Sequence, residues 1–460
     1  MKVKLTWTYF NDIPSYKMKK ISIFSCFIFL LEMGCTSRFS VNQGSTENLS
    51  SFSWVQLGPD SQVIARVATL ESACPFLVMD GVKAPMAKRG LPSEKFPAQI
   101  CELQVPPLTR VVEWNHVKLP LPQANLKKIL VLGDTGCRIK VSPSGLRIQD
   151  CSNPQLWPFL KVSEQASKWK PDLVIHVGDY LYRESPCPNG MKDCAQSPWG
   201  DRWATWRADF FDPARSLLET VPWVFIRGNH ESCERSGEGW FRLLDPRPYL
   251  KTCQEVSEPY SFEINQTRMM VLDTVKALDE SAPDTDVHLL VSHLKKIDRS
   301  YKKNWIWSHH PFWGLIGNWD KANPNKKNLM LNQTLQEAAR KAPLPSNVQW
   351  VISGHIHLFE ALSFTDKGPS QLVIGNGGTE LSEAPQDLSG IQIAGRSIES
   401  GVVRREFGFT FLEAISPGYW KGVSYGIEGN ILQECWMKDS EMKCHGPAHP
   451  VNESRSQGIN

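Results

Sequence analysis

The chain has 460 residues, enough for one large enzyme domain with a small partner or for up to about three domains. Its 41% hydrophobic and 22% charged residues are ordinary globular values and exclude disordered, collagen-like and polytopic membrane classes. Lys+Arg 51 against Asp+Glu 48 leave a net charge of only +3, so charge implies no nucleic-acid partner, and function must come from local sites.

In chain order, Lys17, Lys19 and Lys20 precede an apolar run over 21–31, and Gly34, Cys35 and Thr36 follow it. That is the shape of a secretory signal. The run is shorter than the roughly 20 apolar residues that span a bilayer. Residues 1–35 are therefore expected to be a targeting segment, with Met18 as an alternative start, and the protein to be secreted, periplasmic or outer-surface. Cys35 is a candidate lipidation site and membrane tether, although Glu32 stands where a lipoprotein signal wants a small or aliphatic residue. A buried hydrophobic N-terminal helix is the bland alternative, and the lysine flank favours the signal.

Residues 36–52 are rich in Ser, Asn, Gly and Thr and read as a linker. Over 53–124, short apolar stretches at 63–67, 76–79 and 110–114 are broken by Gly and Pro without helical period, which predicts a small all-β domain ending near Pro120-Leu121-Pro122. Residues 125–436 alternate apolar runs with longer mixed segments, the pattern of an α/β catalytic domain. Val287, Leu290, Val291, Leu294 and Ile297 recur at helical spacing behind Pro283 and Asp284, and 335–341 suggests a second helix. Stretches at 407–414 and 423–435 read as strands with a turn at Gly429-Asn430, and 437–460 as a C-terminal tail, polar beyond Pro447.

Setting aside Cys26 and Cys35, ten of the 12 cysteines remain, an even number in a chain that reads as exported, so disulfides are expected. Sequence does not fix connectivity. Pairing neighbours (74 with 101, 137 with 151, 187 with 194, 233 with 253, 435 with 444) closes only short loops, and no zinc-type CxxC spacing occurs.

The chemistry sits where apolar runs end. The run 129–132 leads into Gly133-Asp134-Thr135-Gly136, and 173–177 into Gly178-Asp179-Tyr180-Leu181-Tyr182. Likewise 224–227 leads into Gly228-Asn229-His230-Glu231, 305–308 into His309-His310-Pro311, and 351–353 into Gly354-His355-Ile356-His357. Open α/β sheets bind ligands beyond the carboxyl ends of their strands, so these junctions bring carboxylates, an amide and imidazoles to one rim. The donors suit iron, manganese or zinc, and there are more of them than one ion needs.

In this order GDTG, GDYLY, GNHE, HHP and GHIH resemble the motifs of the calcineurin-like metallophosphoesterase superfamily, and of its purple acid phosphatase-like branch, over roughly 128–435. Relatives with a DxH first motif have a histidine where this chain has Gly136, and the tyrosine of GDxxY, here Tyr182, is the replacement ligand. The resemblance implies a mixed α/β (α+β) fold: a four-layer αββα sandwich with two mixed sheets, here preceded by the small all-β domain. It implies two metal ions. Asp134, Asp179, Tyr182 and His357 would hold iron(III), and Asp179, Asn229, His309 and His355 would hold iron, zinc or manganese, with Asp179 shared. His230 would be the catalytic acid or charge stabiliser, and His310 a substrate-binding group or, equally, a hydrogen-bonding support for a ligand.

The implied activity is hydrolysis of small phosphomonoesters by water activated on the metal pair in an exported enzyme. The alternatives are a metal-dependent phosphodiesterase or nucleotidase, and a non-catalytic metal-binding surface protein. Structural roles are expected for His176, His288 and His293. Arg138, Arg183, Arg227 and Glu231 flank the motifs as phosphate-binding or ligand-orienting groups or, as commonly, as ion pairs, and Trp313 and Trp319 are candidates for a cleft wall.

Overall fold

The computed structural model describes residues 51–143, 145–317, 329–385 and 387–446, without the side chains of 329 and 330. The targeting segment, Cys35, Trp319 and the end of the tail lie outside the described residues. An eleven-stranded sheet runs in the order Glu441–His445, Ile431–Lys438, Tyr419–Gly426, Gly408–Ser416, Lys128–Leu132, Leu173–His176, Trp223–Phe225, Phe52–Leu57, Val63–Thr69, Gln99–Val105, Ala87–Lys88. An eight-stranded sheet has Thr267–Leu272, Asn304–Ser308, Val348–Ser353 and Ser370–Ile374 as successive parallel neighbours at its centre.

The two sheets pack face to face. Ile129, Val131, Ile175 and Val224 of the first share a core with Trp305, Trp307, Trp350 and Ile352 of the second. Alternation within each strand sends the remaining apolar side chains outward. Leu130, Leu132 and Val174 meet helices Phe159–Ser167 and Asp212–Leu218, and Ile306 and Val351 meet helices Asp284–Leu294 and Gln333–Lys341. This is the expected αββα sandwich. Ile297 joins the same core as Leu294 although the helix has ended before it.

The N-terminal region is all-β, with an added connection. Strand Phe52–Leu57 pairs in parallel with Trp223–Phe225 at Gln56 and Trp223, and antiparallel with Val63–Thr69. All six of its residues are buried, because both of its faces are covered inside the larger sheet. Val63–Thr69, Gln99–Val105 and Ala87–Lys88 therefore extend the catalytic sheet, while 76–79, 82–85, 112–114 and 117–118 form a separate four-stranded one. At the other end the expected tail after 436 also differs. Its first residues complete Ile431–Lys438 and the edge strand Glu441–His445, so the sheet runs on to 445.

Two buried arginines clasp this region to the end of helix Gly237–Leu243 and the residues after it, through 247. Arg66 donates to Glu102, Gln56 and the carbonyls of Leu243 and Asp245, and Arg89 to Glu102 and the carbonyls of Phe241, Arg242, Asp245 and Arg247. Burial, with Arg89 beside it, pushes Arg66 down to about 9. The five neighbouring cysteine pairs are bonded: 74–101, 137–151, 187–194, 233–253 and 435–444.

Glu360, in strand Phe359–Phe364, is wholly buried, with one oxygen unpartnered and the other accepting from Leu315 N at 3.4 Å. Burial pushes its carboxyl up to about 8. The folded value exceeds the ordinary glutamate value of about 4.3, so the neutral group's stabilisation is complete below that pH and is lost as pH rises through 8. Between about pH 5 and 8 the melting temperature of Glu360→Gln is therefore expected to fall less than that of the natural chain. Parallel curves from differential scanning calorimetry would contradict this.

Candidate metal centre

Each cluster residue follows a central strand. Lys128–Leu132, Leu173–His176 and Trp223–Phe225 are parallel neighbours, as are Asn304–Ser308 and Val348–Ser353, so the loops after them emerge on a common rim of each sheet. Asp134, Asp179 and His355 adopt left-handed backbone conformations, with φ of 56°, 61° and 69°. Such strain persists only where the surroundings over-determine it. For Asp179 those surroundings include Glu231, whose buried carboxylate accepts from the backbone N–H groups of Gly228, Asp179 and Tyr180 at 3.0, 3.0 and 2.9 Å.

Two glycines are fixed by close approach. A Cβ on Gly228 would lie 2.1 Å from Asp179 Oδ1, and one on Gly136 would lie 2.6 Å from the Tyr180 carbonyl and 2.8 Å from Tyr182 N. A histidine at 136 is thus incompatible with a loop that brings Tyr182 inward.

The residues singled out from the sequence converge. Tyr182 OH lies 3.0 Å from Asp134 Oδ1, 2.8 Å from Asp179 Oδ2 and 3.0 Å from His357 Nε2. Asn229 Oδ1 lies 3.0 Å from His309 Nε2 and 3.2 Å from His355 Nδ1, and His309 Nε2 is 3.2 Å from Asp179 Oδ2. Ligand atoms of Asp179, His309 and His355 fall within 4.8 Å of one another. His309 and His357 donate from Nδ1 to the carbonyls of Val177 and Glu380, at 2.8 and 2.7 Å, which turns Nε2 of each inward.

The donor set fits cations. A single hydroxyl proton on Tyr182 faces three lone-pair groups, and Asn229 Oδ1 faces two imidazole nitrogens, more acceptors than the protons can satisfy. Burial pushes the Asp134 carboxyl up to about 7. Burial, with Asp134 and Asp179 beside it, also drives the Tyr182 phenol well above its ordinary value. For Asp179, burial is outweighed by His230, His309 and Arg235, which hold its carboxyl well below the usual range. For His309, burial is outweighed by Asp179, which holds the imidazole up to about 9. Bound cations would take the place of such protons and draw Asp134, Tyr182 and His309 back toward their unprotonated, ligating forms.

His230, adjacent to Asn229, is buried and packs on the Tyr182 ring at a centroid distance of 3.8 Å. Its Nδ1 is 3.0 Å from both the Leu181 carbonyl and Glu184 Oε1, and its Nε2 is 2.5 Å from Arg235 Nη2 and 3.7 Å from Asp179 Oδ2. Burial, reinforced by Arg235 and opposed by Asp179, pushes it down to about 4. His310 is also buried, with Nδ1 3.2 Å from Thr274 Oγ1 and its ring 4.1 Å from that of His355.

The flanking residues are mostly structural. Arg183 pairs with buried Asp209 at 2.6 Å, Arg227 with Asp273 at 3.2 Å, and Arg138 lies over the Tyr182 ring at 4.5 Å. His176 is a core histidine bonded to Thr135 Oγ1, and Trp313 is buried against Arg396 and Phe364. Three groups at the centre had no sequence signal. Glu184 and Arg235 bracket His230, and Asp279 lies 3.0 Å from His355 Nε2. None of the three belongs to a strand-end motif.

This fold with this cluster defines a metal-dependent phosphoric ester hydrolase. A model of the calcineurin-like phosphoesterase family matches residues 127–359, and the chain belongs to that family. Among solved structures, it is similar to a purple acid phosphatase, PPD1, from seeds of yellow lupin (Lupinus luteus), at 15% identity over 83% of this chain and 73% of that one, with a TM-score of 0.54. PhoD is similar at 14% identity over 88% of this chain and 93% of its own, with a TM-score of 0.52. At these identities the likeness bears on the fold alone. No curated protein matches the sequence.

Proposed function

We propose that the chain is an exported phosphatase of the purple acid type that hydrolyses phosphomonoesters with a pair of metal ions. The observation that carries this reading is Tyr182, gathered with Asp134, Asp179 and His357 around one point. These four would hold iron(III), for which a phenolate is a fitting donor, while Asp179, Asn229, His309 and His355 would hold iron, zinc or manganese. When bound, such a pair polarises phosphoryl oxygens and lowers the pKa of water.

The chain's own groups do the rest. Asp179 is common to both sets, and Glu231 fixes the loop that presents it. His230 has Nδ1 tied down by Leu181 and Glu184 and Nε2 turned to Arg235, a donor only, so Nε2 would stabilise charge on the leaving oxygen together with Arg235, or would hand it a proton only after the ring has taken one up. His310, braced by Thr274, would steady His355 or meet substrate. Export is supported by five disulfides, which persist in oxidising compartments. Among the described residues no helix is long and apolar enough to cross a membrane.

The test is hydrolysis of a chromogenic phosphomonoester beside the matching diester by the purified mature protein, from acid to neutral pH. Monoester cleavage favoured at acid pH is the expected result. A diester preference would select the phosphodiesterase reading, and metal uptake without hydrolysis of either would select a binding protein.

A further inference from the structure

The three imidazoles of the cluster differ in what stands behind them. His309 and His357 turn their second nitrogen to backbone carbonyls, those of Val177 and Glu380. His355 alone is backed by a side-chain carboxylate, with Nε2 3.0 Å from Asp279 Oδ2 and 3.2 Å from Oδ1. A carboxylate facing Nε2 selects the tautomer protonated there, and that leaves a lone pair on Nδ1. Nδ1 is the atom turned to Asn229 Oδ1, into the cluster.

Asp279 is itself held in place. Its carbonyl accepts from Gln333 N at 3.1 Å, and the preceding Leu278 N donates to Thr334 Oγ1 at 3.0 Å, so the start of helix Gln333–Lys341 anchors its stretch of chain. The backbone of His355 is pinned separately by Asp134 Oδ2, which accepts its N–H at 2.9 Å. With main chain and Nε2 both fixed, the ring has one orientation.

We propose that Asp279 is a positioning residue for the second metal site, holding His355 with Nε2 protonated and Nδ1 free to bind the ion. This rests on the two-ion reading above. Outer partners of this kind change metal affinity by about 10- to 100-fold when removed.

The test titrates metal-depleted full chain with zinc in competition with a chelator. In Asp279→Leu, one of two zinc equivalents is expected to weaken by about 10- to 100-fold while the other keeps its affinity. Asp279→Asn, whose amide oxygen still accepts from Nε2, is expected to keep most of the lost affinity. Wild-type affinity for both equivalents in Asp279→Leu, equal weakening of both, or an Asn variant as weak as the Leu variant would overturn the assignment. Asp279→Ser takes the same titration should the leucine variant not fold. A natural chain that takes up a single equivalent counts against the two-ion reading, and unchanged affinity for it in Asp279→Leu then overturns the Asp279 role separately.

Discussion

Replacing Asp179 with Asn is expected to lower phosphomonoester turnover by at least about 10³-fold while leaving the sandwich folded. Oδ2 of this residue lies 2.8 Å from Tyr182 OH and 3.2 Å from His309 Nε2, and Oδ1 accepts the His230 N–H at 2.9 Å. It is the one carboxylate that both ligand sets would share. An amide keeps the shape and one acceptor oxygen but removes the charge and turns a donor toward its neighbours. Losing several kcal/mol of transition-state stabilisation corresponds to about three powers of ten in rate. Steady-state kinetics beside far-UV circular dichroism decide it, and undiminished turnover in a correctly folded variant would remove Asp179 from the centre.

The second large effect is on stability. Glu102 is the carboxylate partner of both Arg66, at 3.0 Å, and Arg89, at 2.9 Å, whose side chains are 0% and 1% exposed. Glu102→Ala leaves two buried guanidinium groups with backbone carbonyls and, for Arg66, the Gln56 side-chain oxygen as their hydrogen-bond partners. Breaking a buried ion pair from one side costs about 3–5 kcal/mol, because the stranded charge stays desolvated. At about 2.1 cal/mol/K per residue over roughly 400 residues, the melting temperature should fall by about 4–6 °C. Turnover at room temperature should change little, since the clasp joins the N-terminal strands to the end of helix Gly237–Leu243 and the residues after it, and its hydrogen bonds do not reach the cluster. A change under 1 °C in scanning calorimetry would show that the remaining neutral partners satisfy both arginines.

The cluster was legible from the sequence to the extent that its signals are local. An apolar run ending in glycine and a polar residue marks a strand end, and parallel neighbours bring such ends together, so the strand-end motifs could be read without coordinates. Gly136 and Tyr182 could be read as a complementary pair, and the crowding at Gly136 supplies the steric reason. Asp279 could not be read, because it lies in an irregular stretch between Thr267–Leu272 and Asp284–Leu294 and meets His355 only through tertiary packing. The arginines beside the motifs were ambiguous for a similar reason. Nothing near Arg183 or Arg227 in sequence names Asp209 or Asp273 as its partner. The all-β character of 53–124 was visible as short apolar runs. Its union with the larger sheet depends on Gln56 lying beside Trp223, a register that no local pattern encodes.

That register also orders events in time. As synthesis runs from the N-terminus, Phe52–Leu57 can form its hairpin with Val63–Thr69 early, while its other edge waits for Trp223–Phe225. Until then one row of backbone N–H and C=O groups, flanked by Phe52 and Trp54, lacks its sheet partner. Closing so distant a contact carries a large loop entropy and belongs among the slow steps of folding. The half-made sheet is thus a stage at which a nascent chain is open to self-association through that edge, and one that a chaperone would shield.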